Sequence, residues 1–223
     1  MDEQSARVAA LFDRLAADYD QSGVAFFEPI ADGLLAHVPP REGERWLDVG
    51  CGRGAVLLPA AAAVGATGQV VGIDVAASMV ERVRDAAAAQ RLTNVEVAVA
   101  DATAPPAAEP YDTVVSSLVL FFLPDPVAAL RAWSTVLAPG GRLGVSTFGP
   151  WDPRLEHVEQ VLEPWIPPAM RDPRTTGSSS PFASDAGVER LVADAGYADV
   201  RTETLDLPVR FADADQWFAF SWS

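Results

Sequence analysis

The sequence predicts an α/β fold, a three-layer sandwich with a mostly parallel sheet. Three observations predict it. Short apolar runs and helix-period stretches alternate five times between residues 45 and 148, the order of a parallel sheet whose right-handed crossovers place helices on both faces. A glycine turn, Gly50-Cys51-Gly52-Arg53-Gly54, joins the first strand to the helix that follows it. Polar residues then close successive strands, at Asp74, Asp101 and Ser117. In such sheets ligands sit beyond the C-terminal strand ends, so these residues converge in space though not in sequence.

Taken in order, residues 4–19 predict an amphipathic helix, with Val8, Leu11, Phe12, Leu15 and Tyr19 on one face at spacings of three and four. A break at Gln21-Ser22-Gly23 precedes a second apolar helix over residues 26–37, ended by Pro39-Pro40. These two form an N-terminal helical cap, residues 1–42. The core, residues 43–148, opens with a buried strand at 46–49, the glycine turn, and an Ala/Leu-rich helix at 55–64. A second strand, 69–73, ends at Asp74, and the helix at 76–90 points Met79, Val80 and Val83 inward. Strands at 95–100, 112–117 and 142–148 complete the set, with a helix at 126–137 before the last, ended by Pro139-Gly140-Gly141. Residues 149–182 hold Trp151 and Trp165, many prolines and the run Thr175-Thr176-Gly177-Ser178-Ser179-Ser180. They predict a mobile lid inserted after the fifth strand, with a short helix near 153–163. The C-terminal part, 183–223, predicts a helix at 185–195, a sixth strand at 200–209 from its alternation, and a helix at 213–222. No linker divides the chain, so one domain is expected.

Composition limits the function classes. The 223 residues carry a net charge of −15, with no lysine among the 16 cations. That removes a Schiff-base lysine and a Walker-type phosphate lysine. It also leaves no basic footprint for nucleic acid, and none is expected as a partner. No apolar run reaches bilayer length, and the acidic start lacks a signal-peptide pattern. A lone cysteine, Cys51, fits a reducing compartment. A cytoplasmic protein with no membrane partner and no metal site is therefore expected.

Five stretches together resemble the class I S-adenosylmethionine-dependent methyltransferases, in their small-molecule branch: Leu47-Asp48-Val49-Gly50-Cys51-Gly52-Arg53-Gly54; Val71-Gly72-Ile73-Asp74 with Met79; Val99-Ala100-Asp101-Ala102; Tyr111-Asp112-Thr113-Val114-Val115-Ser116-Ser117; and Leu137-Ala138-Pro139-Gly140-Gly141-Arg142-Leu143. The match covers residues 8–148 well and the remainder loosely. It implies a Rossmann-like fold and S-adenosylmethionine as cofactor, a sulfonium with a ribose, an adenine and an amino-acid tail. Gly50, Gly52 and Gly54 let that ligand approach the backbone. Asp48 either holds the loop's N–H groups or favours the ammonium through water. Asp74 stands where a carboxylate accepts both ribose hydroxyls, its alternative being a solvated turn. The resemblance implies that Asp101 accepts the adenine amine and that Val75, Met79 and Ala102 form the adenine slot, Met79 serving equally as helix core. Ser117, or its carbonyl, looks like a contact for the cofactor tail. Cys51 reads as a small loop residue rather than a nucleophile.

Related sequences often carry histidine before Leu-Pro-Asp; here Leu118-Val119-Leu120-Phe121-Phe122 has none. An apolar acceptor pocket is expected instead. His157 in the lid is the candidate base, against a surface role, and Tyr19 could orient the acceptor or close over the cofactor. His37 reads as structural. The expected reaction moves a methyl group to an O, N or C atom of a small, partly apolar or aromatic metabolite, chiefly by in-line positioning. Two rivals stand beside it. Gly50-x-Gly52-x-x-Ala55 followed by Asp74 also fits a nicotinamide-dependent dehydrogenase, and a cofactor-binding protein without turnover would keep the same loop. The resemblance further implies a seventh strand between the fifth and sixth. Residues beyond Ser223 are expected to supply it; otherwise the sixth strand pairs with the fifth or another chain donates the strand.

Overall fold

The computed structural model describes residues 3–15, 23–107, 109–149, 161, 164 and 181–221. Five strands form one parallel sheet: β1 (Arg45–Val49), β2 (Gln69–Asp74), β3 (Val95–Val99), β4 (Tyr111–Ser117) and β5 (Leu137–Ser146), in the order β3-β2-β1-β4-β5. All four pairings are parallel. The helices are α1 (Glu3–Leu15), α2 (Phe27–His37), α3 (Leu57–Val64), α4 (Ala77–Ala89), α5 (Pro126–Val136), α6 (Asp185–Asp194) and α7 (Ala214–Ser221). The strand order reverses between β1 and β4, which opens a crevice at their C-terminal ends.

Alternation along the strands builds two cores. Trp46, Val70 and Val115 pack against Ala31 and Leu34 of α2, Leu57, Ala60, Ala61 and Val64 of α3, and Val83 of α4. Leu47, Val49, Val71, Ile73 and Val114 face the other way, toward Leu130 and Trp133 of α5 and Leu191 and Val192 of α6. Neighbouring residues on one strand thus serve opposite helical layers. Asp125 starts α5 by accepting from the Ala128 N–H at 2.9 Å, with Pro126 in the first turn.

The N-terminal edge of the sheet is closed by one carboxylate. Glu44 accepts from the Trp46 indole N–H (2.9 Å), the Arg41 amide (3.0 Å) and Arg142 Nη2 (2.7 Å). Arg142 also donates to Thr113 Oγ1 at 3.1 Å. This joins β1, β4 and β5 at the end away from the crevice.

The structure corrects the sequence reading in several places. Leu11 of α1 is exposed rather than inward, because α1 docks through Ala9 and Phe12, Phe12 packing beside Ala76 and Met79. β5 begins at Leu137 and not Arg142: Tyr111 pairs with Leu137 and Thr113 with Arg142, so the Pro-Gly-Gly turn is a bulge inside the strand. The sixth strand is absent. Residues 201–210 belong to no ladder, and their alternation has another cause. Thr202 and Thr204 bond to Glu189 and Asp185 of α6. Glu203 meets His37 at 2.6 Å, and Leu205 lies against the Cα of Gly33, both on α2. Alternate side chains therefore clasp helices on opposite faces of the sheet while the backbone pairs with nothing in the described sheet. The expected lid lies almost wholly outside the described residues.

Glu44→Ala leaves the fully buried Trp46 indole N–H and the half-buried Arg142 without their acceptor. The expected loss is roughly 1–3 kcal/mol, read as a lower urea midpoint with an unchanged slope.

Candidate active site

The glycine turn is fixed from β2. The amides of Gly50 and Cys51 both donate to the Ile73 carbonyl, at 2.8 and 3.0 Å. Gly50 and Gly52 have φ of +73° and +50°, conformations that side-chain-bearing residues resist. The Val119 side chain occupies the place where a Cβ on Gly50 would stand, whereas nothing lies within 4 Å of the same position on Gly52. The outer face of Gly52 is thus open to the cleft. Its N–H turns inward and donates to Asp74 Oδ2 at 2.9 Å, while the Ala76 amide donates to Oδ1 at 2.9 Å. Asp74 is therefore a rigid carboxylate at the end of β2, and each oxygen keeps a lone pair. Burial raises its pKa, against the lowering effect of these amides. α3 begins just past the turn with no side-chain cap, so the positive end of its dipole faces the same space.

Asp48 lies beneath this loop, in register between Gly72 of β2 and Val115 of β4. It is 1% exposed, and neither carboxylate oxygen has a hydrogen-bond partner. Burial, then the charge of Asp74, pushes its pKa up to about 7; the Leu57 amide offsets part of the rise without closing a hydrogen bond. Of the two roles open for Asp48, holding the loop's N–H groups is ruled out, since Asp74 does that. Cys51 is buried, and burial followed by the charges of Asp48 and Asp74 raises its thiol well above the ordinary range. It packs against Gly72 as a small loop residue.

The β3 end is held separately. Asp101 Oδ1 accepts from the Thr103 amide and hydroxyl, at 3.0 and 2.8 Å, an Asx turn. The Trp133 indole of α5 donates to the Ala102 carbonyl at 2.7 Å. Val75, Met79 and Ala102 line the cleft between β2 and β3. Met79 is also fully buried beside Ala76 and Phe12, so its two readings coincide. Asp13 of α1 accepts from the Ser78 amide at 3.0 Å and from its hydroxyl, capping α4 from a neighbouring helix. Those bonds hold the Asp13 carboxyl below the usual range. At the end of β4 the Ser117 and Ser146 hydroxyls lie 2.8 Å apart, and Leu118 follows with φ of +59°.

Opposite the carboxylates the wall is aromatic. Phe121 meets Phe122, Phe148 and Phe182 at centroid distances of 4.7, 5.5 and 6.2 Å. Phe148 stacks on Phe26 at 6.1 Å and 25°, and Phe26 meets Phe220 edge-on at 5.1 Å. All ten phenylalanines line the cleft and none is in the buried core, whose large members are Trp46, Trp133, Tyr111 and aliphatic residues. The cleft measures about 2600 Å³, room for more than one ligand. Sequence reasoning located Phe121 and Phe122 but missed Phe26, Phe148, Asp13 and Trp133. Their one signal was phenylalanine recurring at element ends, at Phe26-Phe27 and Phe148. Tyr19 and His157 lie outside the described residues. His37 stands at the end of α2, with Nδ1 2.8 Å from the Gly33 carbonyl and Nε2 against Glu203.

Comparison with known proteins decides the family. Residues 47–141 match the model of a methyltransferase domain. The chain is 38% identical to nocamycin O-methyltransferase of Saccharothrix syringae over 96% of its own length and 80% of that protein's. It is 37% identical to aklanonic acid methyltransferase of Streptomyces sp. strain C5, over 89% of this chain and 94% of the other.

The chain belongs to the class I S-adenosylmethionine-dependent methyltransferases.

A solved SAM-dependent methyltransferase from Aquifex aeolicus superposes with a TM-score of 0.50 and 25% identity, over 60% of this chain and 77% of that one. As a member of this family the protein is an enzyme that uses S-adenosylmethionine, which replaces the nicotinamide and scaffold readings. The residues present fit a cationic donor. A buried carboxylate with no protein partner, a fixed carboxylate at the neighbouring strand end and an open glycine face converge on one cleft. Among the described residues no helix is long and apolar enough to cross a membrane, and no group of three or more acidic, histidine or cysteine side chains could hold a metal.

The Asp48 pKa has a measurable sign. Well below pH 4 the carboxyl is protonated folded or unfolded and contributes nothing. From there to about pH 7 the folded methyltransferase keeps a proton that the unfolded chain has lost, so stability falls as pH rises. Above that the full cost stands. In ligand-free protein, Asp48→Asn is expected to flatten the decline in urea midpoint between pH 5 and 8. An unchanged decline places its source elsewhere.

Proposed function

We propose that this enzyme methylates an oxygen atom of a small, largely apolar aromatic metabolite. The observation that carries the proposal is the distribution of phenylalanine: the chain places it on the cleft wall and builds its core without it. Aromatic walls take up planar rings by stacking and edge-on contacts. Support for the oxygen and for a small acceptor comes from the relatives, which include an O-methyltransferase of nocamycin and a methyltransferase of aklanonic acid.

When bound, S-adenosylmethionine supplies a methyl group on sulfur: the acceptor oxygen's lone pair forms the new C–O bond, the C–S electron pair stays on sulfur, and an acceptor hydroxyl releases its proton to water. The chain's part is to bind, orient and exclude water. In this reading both oxygens of Asp74 accept the ribose hydroxyls through their remaining lone pairs, held in place by Gly52 and Ala76. Asp48 favours the ammonium, and Gly50, Cys51, Gly52 and Gly54 bring the backbone against the tail, with Ser117 at its far side. Asp101 receives the adenine amine over Val75, Met79 and Ala102. Tyr19 and His157 are the acceptor-side groups taken from the sequence alone. The aromatic wall contributes orientation and dryness, which raise the rate of a displacement whose electrophile is already potent.

Asp74→Ala removes a charged acceptor for two hydroxyls and frees the loop. Calorimetry is expected to show S-adenosylhomocysteine affinity falling at least about tenfold, since hydrogen bonds to charged groups contribute roughly 1.5–3 kcal/mol each. The function itself is tested by mass spectrometry on a panel of hydroxylated, carboxylated and aminated polyaromatics incubated with donor. The expected result is a gain of one CH₂ on the oxygen acids. Gain on the amines alone would overturn the assignment of the atom.

A further inference from the structure

The aromatic wall carries a cluster of hydroxyls that the cofactor reading does not use. Ser146 ends β5 in register with Ser117, and the two hydroxyls lie 2.8 Å apart. Thr147 follows, and its Oγ1 is buried with no hydrogen-bond partner. Phe148 comes next and stacks between Phe26 and Phe121. Ser146, Thr147 and Phe148 all line the cleft. A buried hydroxyl without a partner costs about 1–3 kcal/mol, and such groups in a native structure call for an explanation.

The position of the cluster supplies one. Leu118 adopts φ of +59° and its amide donates to the Ser146 carbonyl at 3.0 Å. That corner carries Val119 onto the Cα of Gly50. The hydroxyls therefore stand between the glycine turn on one side and the phenylalanine wall on the other. A local backbone conformation of this kind, in a residue other than glycine, is kept where the surroundings hold it in place.

We propose that Ser146 and Thr147 form the polar anchor for the acceptor, donating hydrogen bonds to the oxygen that is to be methylated. The proposal rests on the reading of an aromatic oxygen acceptor and names the residues that choose its orientation. A hydroxyl turns to donate or accept. With Ser117 donating to Ser146, the Ser146 proton is left for the acceptor, and Thr147 gives a second. Both bonds stabilise an ionised or partly ionised oxygen and leave it a lone pair for the donor. They also discriminate: a ring system without oxygen at that point leaves Thr147 unpartnered again, and a group that can only donate fits both hydroxyls poorly. The substrate class is thus an aromatic phenol, enol or carboxylic acid whose oxygen stands at the edge of a planar ring.

The test is binding to enzyme saturated with S-adenosylhomocysteine, by equilibrium dialysis, with 2-naphthol and naphthalene as probes. Wild type is expected to prefer 2-naphthol by about tenfold, the scale of one or two neutral hydrogen bonds. Thr147→Val combined with Ser146→Ala is expected to erase that preference and leave naphthalene binding and S-adenosylhomocysteine affinity unchanged. Thr147→Ser, which keeps the hydroxyl, is expected to retain it. Thermal melts identify a variant that fails to fold, in which case Thr147→Val alone carries the comparison. Equal binding of the two probes to wild type, or a preference that survives the double substitution, overturns the anchor and leaves the aromatic acceptor standing. Failure of both probes to bind overturns the aromatic acceptor and the anchor with it.

Discussion

The Asp74 carboxylate holds the crevice in one shape. It sits where the chain leaves β2, and it takes one amide from the glycine turn and one from the start of α4. Those two bonds join the parts on either side of the β2 end: the turn after β1 and the helix after β2. The second part carries more of the molecule with it. Ser78, one helical step further, is capped by Asp13 of α1, and α1 brings Phe12 against Ala76 and Met79 and edge-on to Phe122. The near wall of the cleft, its floor and one aromatic contact of the far wall thus share a single anchor.

Placing carboxylates at this edge has a cost that the rest of the fold offsets. Asp48 is enclosed without a partner, and the Asp74 charge adds to its desolvation penalty. A chain selected for stability alone would put an apolar residue there, as β4 does with Val114 and Val115. The opposite end of the sheet is built the other way. Glu44 is surrounded by donors, and Arg142, Trp46 and Arg41 satisfy it together. One carboxylate is fully paired and closes the sheet; the other is held in reserve for a cation.

Much of this was legible in the sequence. The five-strand alternation, the glycine turn and the strand-end residues Asp74, Asp101 and Ser117 follow from periodicity and local turn chemistry, and each lies where that reasoning puts it. What was not legible depends on tertiary partners. Nothing local distinguishes Asp48 that holds the loop from Asp48 left unpartnered, because the answer lies in where Gly52 sends its N–H. Phe12 and Phe148 lie far apart in sequence and meet the same wall through elements that only the sheet order brings together. The missing sixth strand teaches a different point. Alternation reports two unlike surroundings on either side of a segment, and a ladder is one of several ways to provide them. Here two helices from opposite layers provide them.

That clasp changes what the molecule can tolerate over evolutionary time. A strand that gains or loses one residue reverses every side chain beyond the change. Residues 206–210 are in no ladder, so their number can vary without shifting any register in the sheet. They line the cleft beside Phe211 and Phe220, and the clasp upstream, Glu203 on His37 and Leu205 on Gly33, would stay where it is. Longer or shorter versions of this stretch would resize the acceptor end of the cleft and leave the donor end untouched. The fold thus separates the part that must be constant, where every substrate meets the same methyl donor, from a margin where length alone can change which substrate enters.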